Sequence, residues 1–289
     1  MLFKIKGFAL EPYILILVLF AAALHAGWNL ILKTAPDKAV AIMIILFASL
    51  PLAIMGLVIG GVPTVEAAPV IVISALLQTG YNISLFKAYN VGQLSSVYPV
   101  ARGSAPLFIF IISYSFYEPK ISEVMLFGIA VICFGLITYG LVQLWRNRSS
   151  KRQLLLALLN GFFIALYSLT DAYGTKLTGS ALSFLCAMAL LSRLFLFLYL
   201  FIFEKDFLPR LKSGFELRFI FGGITSFICY LIILQAYQHL PVALVSSLRE
   251  TSILFAVVLG IIVLKEKLAW EKIYLVIILF LGIAVLSTA

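Results

Sequence analysis

Apolar residues along this 289-residue chain gather in long continuous runs separated by short polar breaks, without the alternation of a half-buried strand. The runs fall at about 12–32, 39–60, 67–88, 94–116, 122–144, 153–174, 180–203, 217–238, 242–264 and 270–288. An α-helix needs about 20 mostly apolar residues to cross a bilayer, whereas a membrane barrel shows weak alternating segments of about ten. The expected fold is therefore an all-α integral membrane protein with ten transmembrane helices. The breaks carry helix-ending chemistry, as in Ala35-Pro36-Asp37, Gly60-Gly61-Val62-Pro63, Glu118-Pro119, Leu208-Pro209 and Leu240-Pro241. The first run is too long for the apolar region of a signal peptide. Its Trp28, Asn29 and Lys33 form no small-residue cleavage site, so it is expected to stay as a span.

The longest polar linker in the middle of the chain, Trp145 to Arg152, divides five runs from five. Leu85-Phe86-Lys87-Ala88-Tyr89, followed by Arg102, Phe108, Glu118 and Gly135, has counterparts in Ile233-Leu234-Gln235-Ala236-Tyr237, followed by Arg249, Phe255, Glu266 and Gly282. The offset stays at 147 or 148 residues. Three units follow: a five-helix repeat over 1–145, a basic linker over 146–152 and a second five-helix repeat over 153–289. An odd number of spans per repeat gives the copies opposite orientations in the bilayer. Such inverted repeats put a substrate site near the midplane, between the halves, and allow alternating access.

Composition agrees with this pattern: 63% of residues are hydrophobic and only 11% charged, and the mean hydropathy is +1.14. The net charge of +9 does not point to nucleic acid, because most basic residues lie in short loops. Of the 21 Lys and Arg residues, fourteen fall on the side of the odd-numbered loops and the central linker. Four (Lys4, Lys6, Lys120 and Lys176) fall on the other side. By the positive-inside rule the odd loops are cytoplasmic and both termini outside. Cys133, Cys186 and Cys229 all lie inside runs, where a free cysteine behaves as a small hydrophobe. Neither they nor the two histidines form a metal-ligand pattern, and no cofactor is expected.

The remaining arginines carry the candidate chemistry. Arg102 and Arg249 occupy equivalent positions inside apolar runs, where an ionised side chain is costly enough to need a protein or water partner. Glu250 follows Arg249 and points about 100° away from it on a helix, so each needs its own partner. Arg102 is the candidate partner for Glu250 across the halves. The pair either fixes packing or contacts substrate or a proton. A guanidinium offers a planar fork to carboxylate or phosphate and stays charged, so a cavity-facing arginine implies a substrate with an anionic group. Pro99, Gly103 and Pro106 surround Arg102 and predict a kinked or broken helix there, with Tyr98 at its start among the candidate contacts.

His25 and Asn29 share a face of the first span beside Trp28, which suits an aromatic wall. His25 can serve a proton relay or be a satisfied core histidine. Gln78 and Asn82 form a polar stripe with Tyr89 in the third span, and Tyr230 begins a similar polar region in the eighth. Asp171, late in the sixth span, either reaches the interface or, with Glu250 and His25, is a candidate for proton coupling. Arg193, deeper in the seventh, can pair with Asp171 or snorkel. The candidate substrate-binding set is therefore Arg102, Arg249, Glu250, Trp28, Asn29, Gln78, Asn82, Tyr98 and Tyr230.

The run Leu248 to Leu268, with its small residues and turn Glu266, followed by Gly282-Ile283-Ala284-Val285-Leu286, resembles the drug/metabolite transporter superfamily of EamA type. The resemblance spans two five-helix halves and implies a carrier, with cytoplasmic termini where the charge count puts them outside. Arg102-Gly103 and Arg249-Glu250 are more polar than is usual at these positions. The expected function is a secondary transporter in a bacterial-type plasma membrane. Its substrate is a small polar metabolite with an anionic group, an amino acid or related compound. The alternative is a flippase for a lipid-linked sugar or phosphate. An intramembrane enzyme lacks a motif here, with no HExxH or GxSxG, and a scaffold has no need of charges at span centres. Expected partners are the substrate and the bilayer but not nucleic acid, and a homodimer is left open.

Overall fold

The computed structural model of the protein describes residues 4–5, 8–9, 12–91, 94–117, 122–146, 151–265 and 270–288. Near the start, β1 (Lys4–Ile5) pairs antiparallel with β2 (Phe8–Ala9). The helices then run α1 (Pro12–Thr34), α2 (Lys38–Ala48), α3 (Leu50–Gly60), α4 (Ala68–Val91), α5 (Leu94–Tyr117), α6 (Glu123–Arg146) and α7 (Lys151–Thr178). They continue with α8 (Ala181–Phe203), α9 (Phe207–Ser213), α10 (Leu217–His239), α11 (Val242–Arg249), α12 (Ser252–Leu264) and α13 (Trp270–Thr288). Among the described residues, eight helical stretches are long and apolar enough to cross a membrane. Val100–Ile112 and Ile273–Val285 are shorter apolar helical stretches.

Two expected spans are each split, and for different reasons. The run 39–60 breaks at Ser49 between α2 and α3, because Pro51 has no N–H to continue the ladder and instead sits in the first turn of α3. The Leu46 carbonyl, left at the end of α2, accepts from Ser49 Oγ at 2.7 Å and from Arg193 Nε at 3.3 Å. The run 242–264 breaks at Glu250-Thr251 without a proline. There the backbone tightens to i→i+3 bonds, Glu250 N to Ser247 O and Thr251 N to Leu248 O, both 3.1 Å.

Of the kinked or broken helix expected around Pro99, Gly103 and Pro106, the break does not occur. α5 is continuous from Leu94 to Tyr117. Gly103 serves a helix crossing: a Cβ there would lie 2.4 Å from Leu136 Cβ and 3.1 Å from the Ile137 nitrogen. On the facing side, a Cβ on Gly161 would lie 2.6 Å from the Ala101 carbonyl. With α6 and α7 this close, neighbouring helices hold α5 together across its prolines.

The packing crosses the central linker. α1 packs against α10 and α12, while α7 packs against α4 and α5; α2 meets α10, α8 meets α4, and α6 meets α13. At this last crossing Gly135 faces Ile278 and Gly282 faces Ile132, where an added Cβ would come within 2.2 and 2.4 Å. The apolar core lies between these layers, with Ile132, Phe184, Ile233 and Leu279 fully buried. Large apolar side chains such as Phe127, Phe134, Ile202 and Phe280 project outward, which suits a lipid-facing surface.

Candidate functional site

Helices from both sides of the linker enclose a cavity of about 90 Å³. A water molecule needs roughly 10–15 Å³ of such space, so several waters or one small solute fit. α1 contributes His25 and Trp28, α4 Gln78, Tyr81 and Asn82, α7 Tyr167, α8 Met188 and Arg193, α10 Cys229 and Tyr230, and α11 Arg249. Tyr167 lies edge-on to Tyr81 at 5.5 Å and to Tyr230 at 6.0 Å between ring centroids. These rings form an aromatic wall, each with a polar tip.

Arg249 ends α11, where the chain tightens, and its guanidinium reaches this wall. Its Nη2 donates to the Tyr167 hydroxyl at 3.1 Å, and the group lies 6.0 Å from the Tyr230 ring centroid. Nη1 is buried and has no hydrogen-bond partner among the described residues. A guanidinium cannot shed its proton in a protein, so the cation is held ready for an acceptor that the wall does not supply.

Arg102 and Glu250 are engaged with each other behind the cavity. Arg102 Nε lies 3.2 Å from Glu250 Oε2, and Nη2 donates to Ser252 Oγ at 3.1 Å, with both residues almost fully buried. The pair joins the middle of α5 to the break between α11 and α12. Neither residue lines the cavity.

Asp171 is buried in the bundle and accepts from Ser74 Oγ, from Tyr230 OH and from Gln78 Nε2, the last at 3.3 Å. It ties α4, α7 and α10 together from behind Gln78 and Tyr230. Arg193 does not meet it, contrary to the expected pairing. Arg193 donates to Leu46 O, Ala189 O, Ser192 Oγ and Ser49 Oγ at 2.9 to 3.3 Å, because the broken helix offers carbonyl and hydroxyl acceptors closer by.

His25 Nδ1 accepts from Trp28 Nε1 at 3.2 Å. The indole is only a donor, so this nitrogen carries the lone pair and the ring proton sits on Nε2. Asn29 is not in the cavity wall; its amide donates to the His25 carbonyl at 2.8 Å. Asn82 Nδ2 donates to Gln78 O at 2.9 Å. The Tyr98 side chain lies outside the described residues. Of the candidates, the fold thus brings His25, Trp28, Gln78, Asn82, Tyr230 and Arg249 to one cavity. Sequence reasoning missed Tyr81, Tyr167 and Met188, although Tyr81 lies one turn from Gln78 and Tyr167 one turn from Asp171.

At one end of the bundle Asp37 caps α2, accepting from the Ala39 and Val40 amides, and also accepts from Arg210 Nε at 2.8 Å. That bond to Asp37 raises the Arg210 pKa above its usual value. Arg218 donates to Thr34 Oγ1 at 2.8 Å. The loop after α1 is thereby latched to the segment from α9 to α10. Among the described residues no group of three or more His, Cys, Asp or Glu side chains could hold a metal.

A multi-helix bundle with a lipid-suited exterior and a polar internal cavity is the build of a multi-pass membrane protein. Residues 151–288, just under half the chain, match the model of the EamA-like transporter family, part of the drug/metabolite transporter superfamily. The match likens this part of the chain to membrane transporters of small molecules. Among solved structures 28 chains match. One, titled "Crystal structure of protein", has a TM-score of 0.72 at 14% identity and covers 94% of each chain. At that identity the likeness shows the fold alone. No curated protein matches the sequence.

Proposed function

We propose that the protein is a secondary transporter that carries a small polar metabolite with an anionic group, an amino acid or related compound, across the plasma membrane by alternating access. The observation that carries the reading is the buried Arg249 guanidinium, with Nη1 unpartnered among the described residues, in the wall of a cavity lined from both halves of the chain. Such a cation provides the fork for a carboxylate. The aromatic wall of Tyr81, Tyr167, Tyr230 and Trp28 would hold the rest of the substrate.

The carrier is read as ten transmembrane helices in two inverted repeats, 1–145 and 153–289, joined by the linker 146–152. Reciprocal packing supports this. Shifting residues by about one repeat exchanges the contact of α1 with α10 for that of α7 with α4, and the contact of α2 with α10 for that of α8 with α4. Gly135 and Gly282, equivalent by that shift, make matching contacts with Ile278 and Ile132. Rocking of one half on the other would open the cavity to each side in turn. The Arg102–Glu250 pair braces the moving parts, and Asp171 with its neutral donors is the proposed proton-coupling group.

Thermal-shift screening of the purified protein against amino acids, organic acids and organic phosphates tests the reading, run in parallel on wild type and Arg249→Gln. A stabilising anion whose effect disappears in Arg249→Gln is expected. Stabilisation by anions that persists in the variant contradicts the site.

A further inference from the structure

The buried charges around the cavity do not balance. Among the described residues the buried guanidiniums are Arg102, Arg193 and Arg249, and the buried carboxylates are Asp171 and Glu250. His25 is a neutral ring by the Trp28 hydrogen bond. Glu250 lies against Arg102. Asp171 is held by the neutral donors Ser74, Gln78 and Tyr230. Among the described residues the cavity wall contains Arg193 and Arg249 and no carboxylate. Arg193 is surrounded by two carbonyls and two hydroxyls, which satisfy hydrogen bonds but cancel no charge. Uncompensated buried charge is strongly unfavourable, so the occupant that completes this cavity brings negative charge in excess.

We infer that the substrate is a small organic acid with a net negative charge and no ammonium group: the 2-hydroxy or 2-oxo acid counterpart of an amino acid. The inference rests on the proposed role of Arg249 as the anion site and narrows it. The substrate carboxylate accepts from Nη1 of Arg249, which has no hydrogen-bond partner among the described residues, and the apolar body of the substrate lies on the tyrosine wall. An α-ammonium in the same place would stand beside two guanidiniums with no carboxylate facing it. The cation–π position on Tyr230 is already taken by Arg249, 6.0 Å from its centroid. Asp171 cannot substitute, because Gln78 and Tyr230 stand between it and the cavity and bond to it. A hydroxyl or keto oxygen, by contrast, meets neutral groups such as the Asn82 amide and the Ser226 hydroxyl in the wall.

Matched pairs that differ only in hydroxyl against ammonium provide the test: L-lactate with L-alanine, L-2-hydroxyisocaproate with L-leucine, and L-3-phenyllactate with L-phenylalanine. Each is titrated calorimetrically into the purified wild-type protein and into Arg249→Gln. At least one hydroxy acid is expected to bind wild type about 100-fold or more tighter than its amino acid, since a desolvated charge without a partner discriminates strongly. That binding is lost in Arg249→Gln. Should the variant fold poorly, the methyl ester of the same hydroxy acid, which lacks the negative charge, replaces it as the control on wild type and is expected not to bind. An amino acid that binds as tightly as its hydroxy acid, and in an Arg249-dependent way, overturns this inference while leaving the anion site standing. If neither series binds, or if binding survives both Arg249→Gln and esterification, this inference and the Arg249 site fall together.

Discussion

Replacing Glu250 by Gln keeps the side-chain shape but takes away the carboxylate that faces the buried Arg102 guanidinium. Both residues are almost fully buried and 3.2 Å apart. At that separation and an effective dielectric of about 20, the lost attraction is about 5 kcal/mol. Measured costs of breaking buried pairs from one side are about 3–5 kcal/mol. Glu250→Gln should therefore destabilise the folded protein by about 3–5 kcal/mol. The double variant Arg102→Met/Glu250→Leu removes both charges together and should recover most of that loss, because apolar replacement of a buried pair is often neutral or better. Unfolding in mixed detergent micelles, followed by circular dichroism across Arg102→Met, Glu250→Leu and the double variant, gives the coupling directly. A cost below about 1 kcal/mol for Glu250→Gln, or additive effects in the cycle, would refute the bracing role and return Glu250 to the list of substrate or proton contacts.

Tyr230→Phe removes one of three donors to the buried Asp171 and should cost about 1.5–3 kcal/mol, read by the same unfolding assay, with the effect absent when Asp171 is already Asn. Gly161→Val would drive a Cβ to within 2.6 Å of the Ala101 carbonyl, and backbone cannot swing away, so α5 and α7 must separate at a cost of about 1–3 kcal/mol. Arg210→Ala should cost no more than about 1 kcal/mol, because the bond to Asp37 is partly exposed, and added salt should shrink the difference. Its raised pKa makes the contribution fully present below the unfolded-state value for arginine and lost only as pH rises above it, so Arg210 adds no pH dependence to stability between pH 5 and pH 9.

Much of the bundle is legible in the sequence because hydrocarbon imposes a simple rule of length and apolarity. The long apolar runs anticipate a helical membrane bundle, in which eight stretches among the described residues are long and apolar enough to cross a membrane. The partnership of Arg102 with Glu250 is legible for a similar reason, since two equivalent spans each carry a charge that needs a partner. The breaks are not. Pro99 and Pro106 look like the place for one, yet close small-residue packing keeps α5 whole, while a short Ser49-Leu50-Pro51 turn and the Arg249-Glu250 pair supply the real ones. The acceptors for Arg193 exist only because α2 ends at Ser49, so its role follows from tertiary structure. Tyr167 and Tyr81 share helix faces with recognised polar residues, but a tyrosine in an apolar run reads equally well as core. Short α9 and the pairing of β1 with β2 carry no run long enough to register.

The account turns on Arg249 as the anion site of a carrier, and transport itself is the most direct measurement. Protein reconstituted in liposomes and loaded with a mixture of unlabelled organic acids, amino acids and organic phosphates should take up the corresponding labelled anion by counterflow. Arg249→Gln should abolish that uptake while Arg102→Met/Glu250→Leu remains folded. Counterflow that persists in Arg249→Gln, or exchange only of compounds that carry no anionic group, would contradict the central claim.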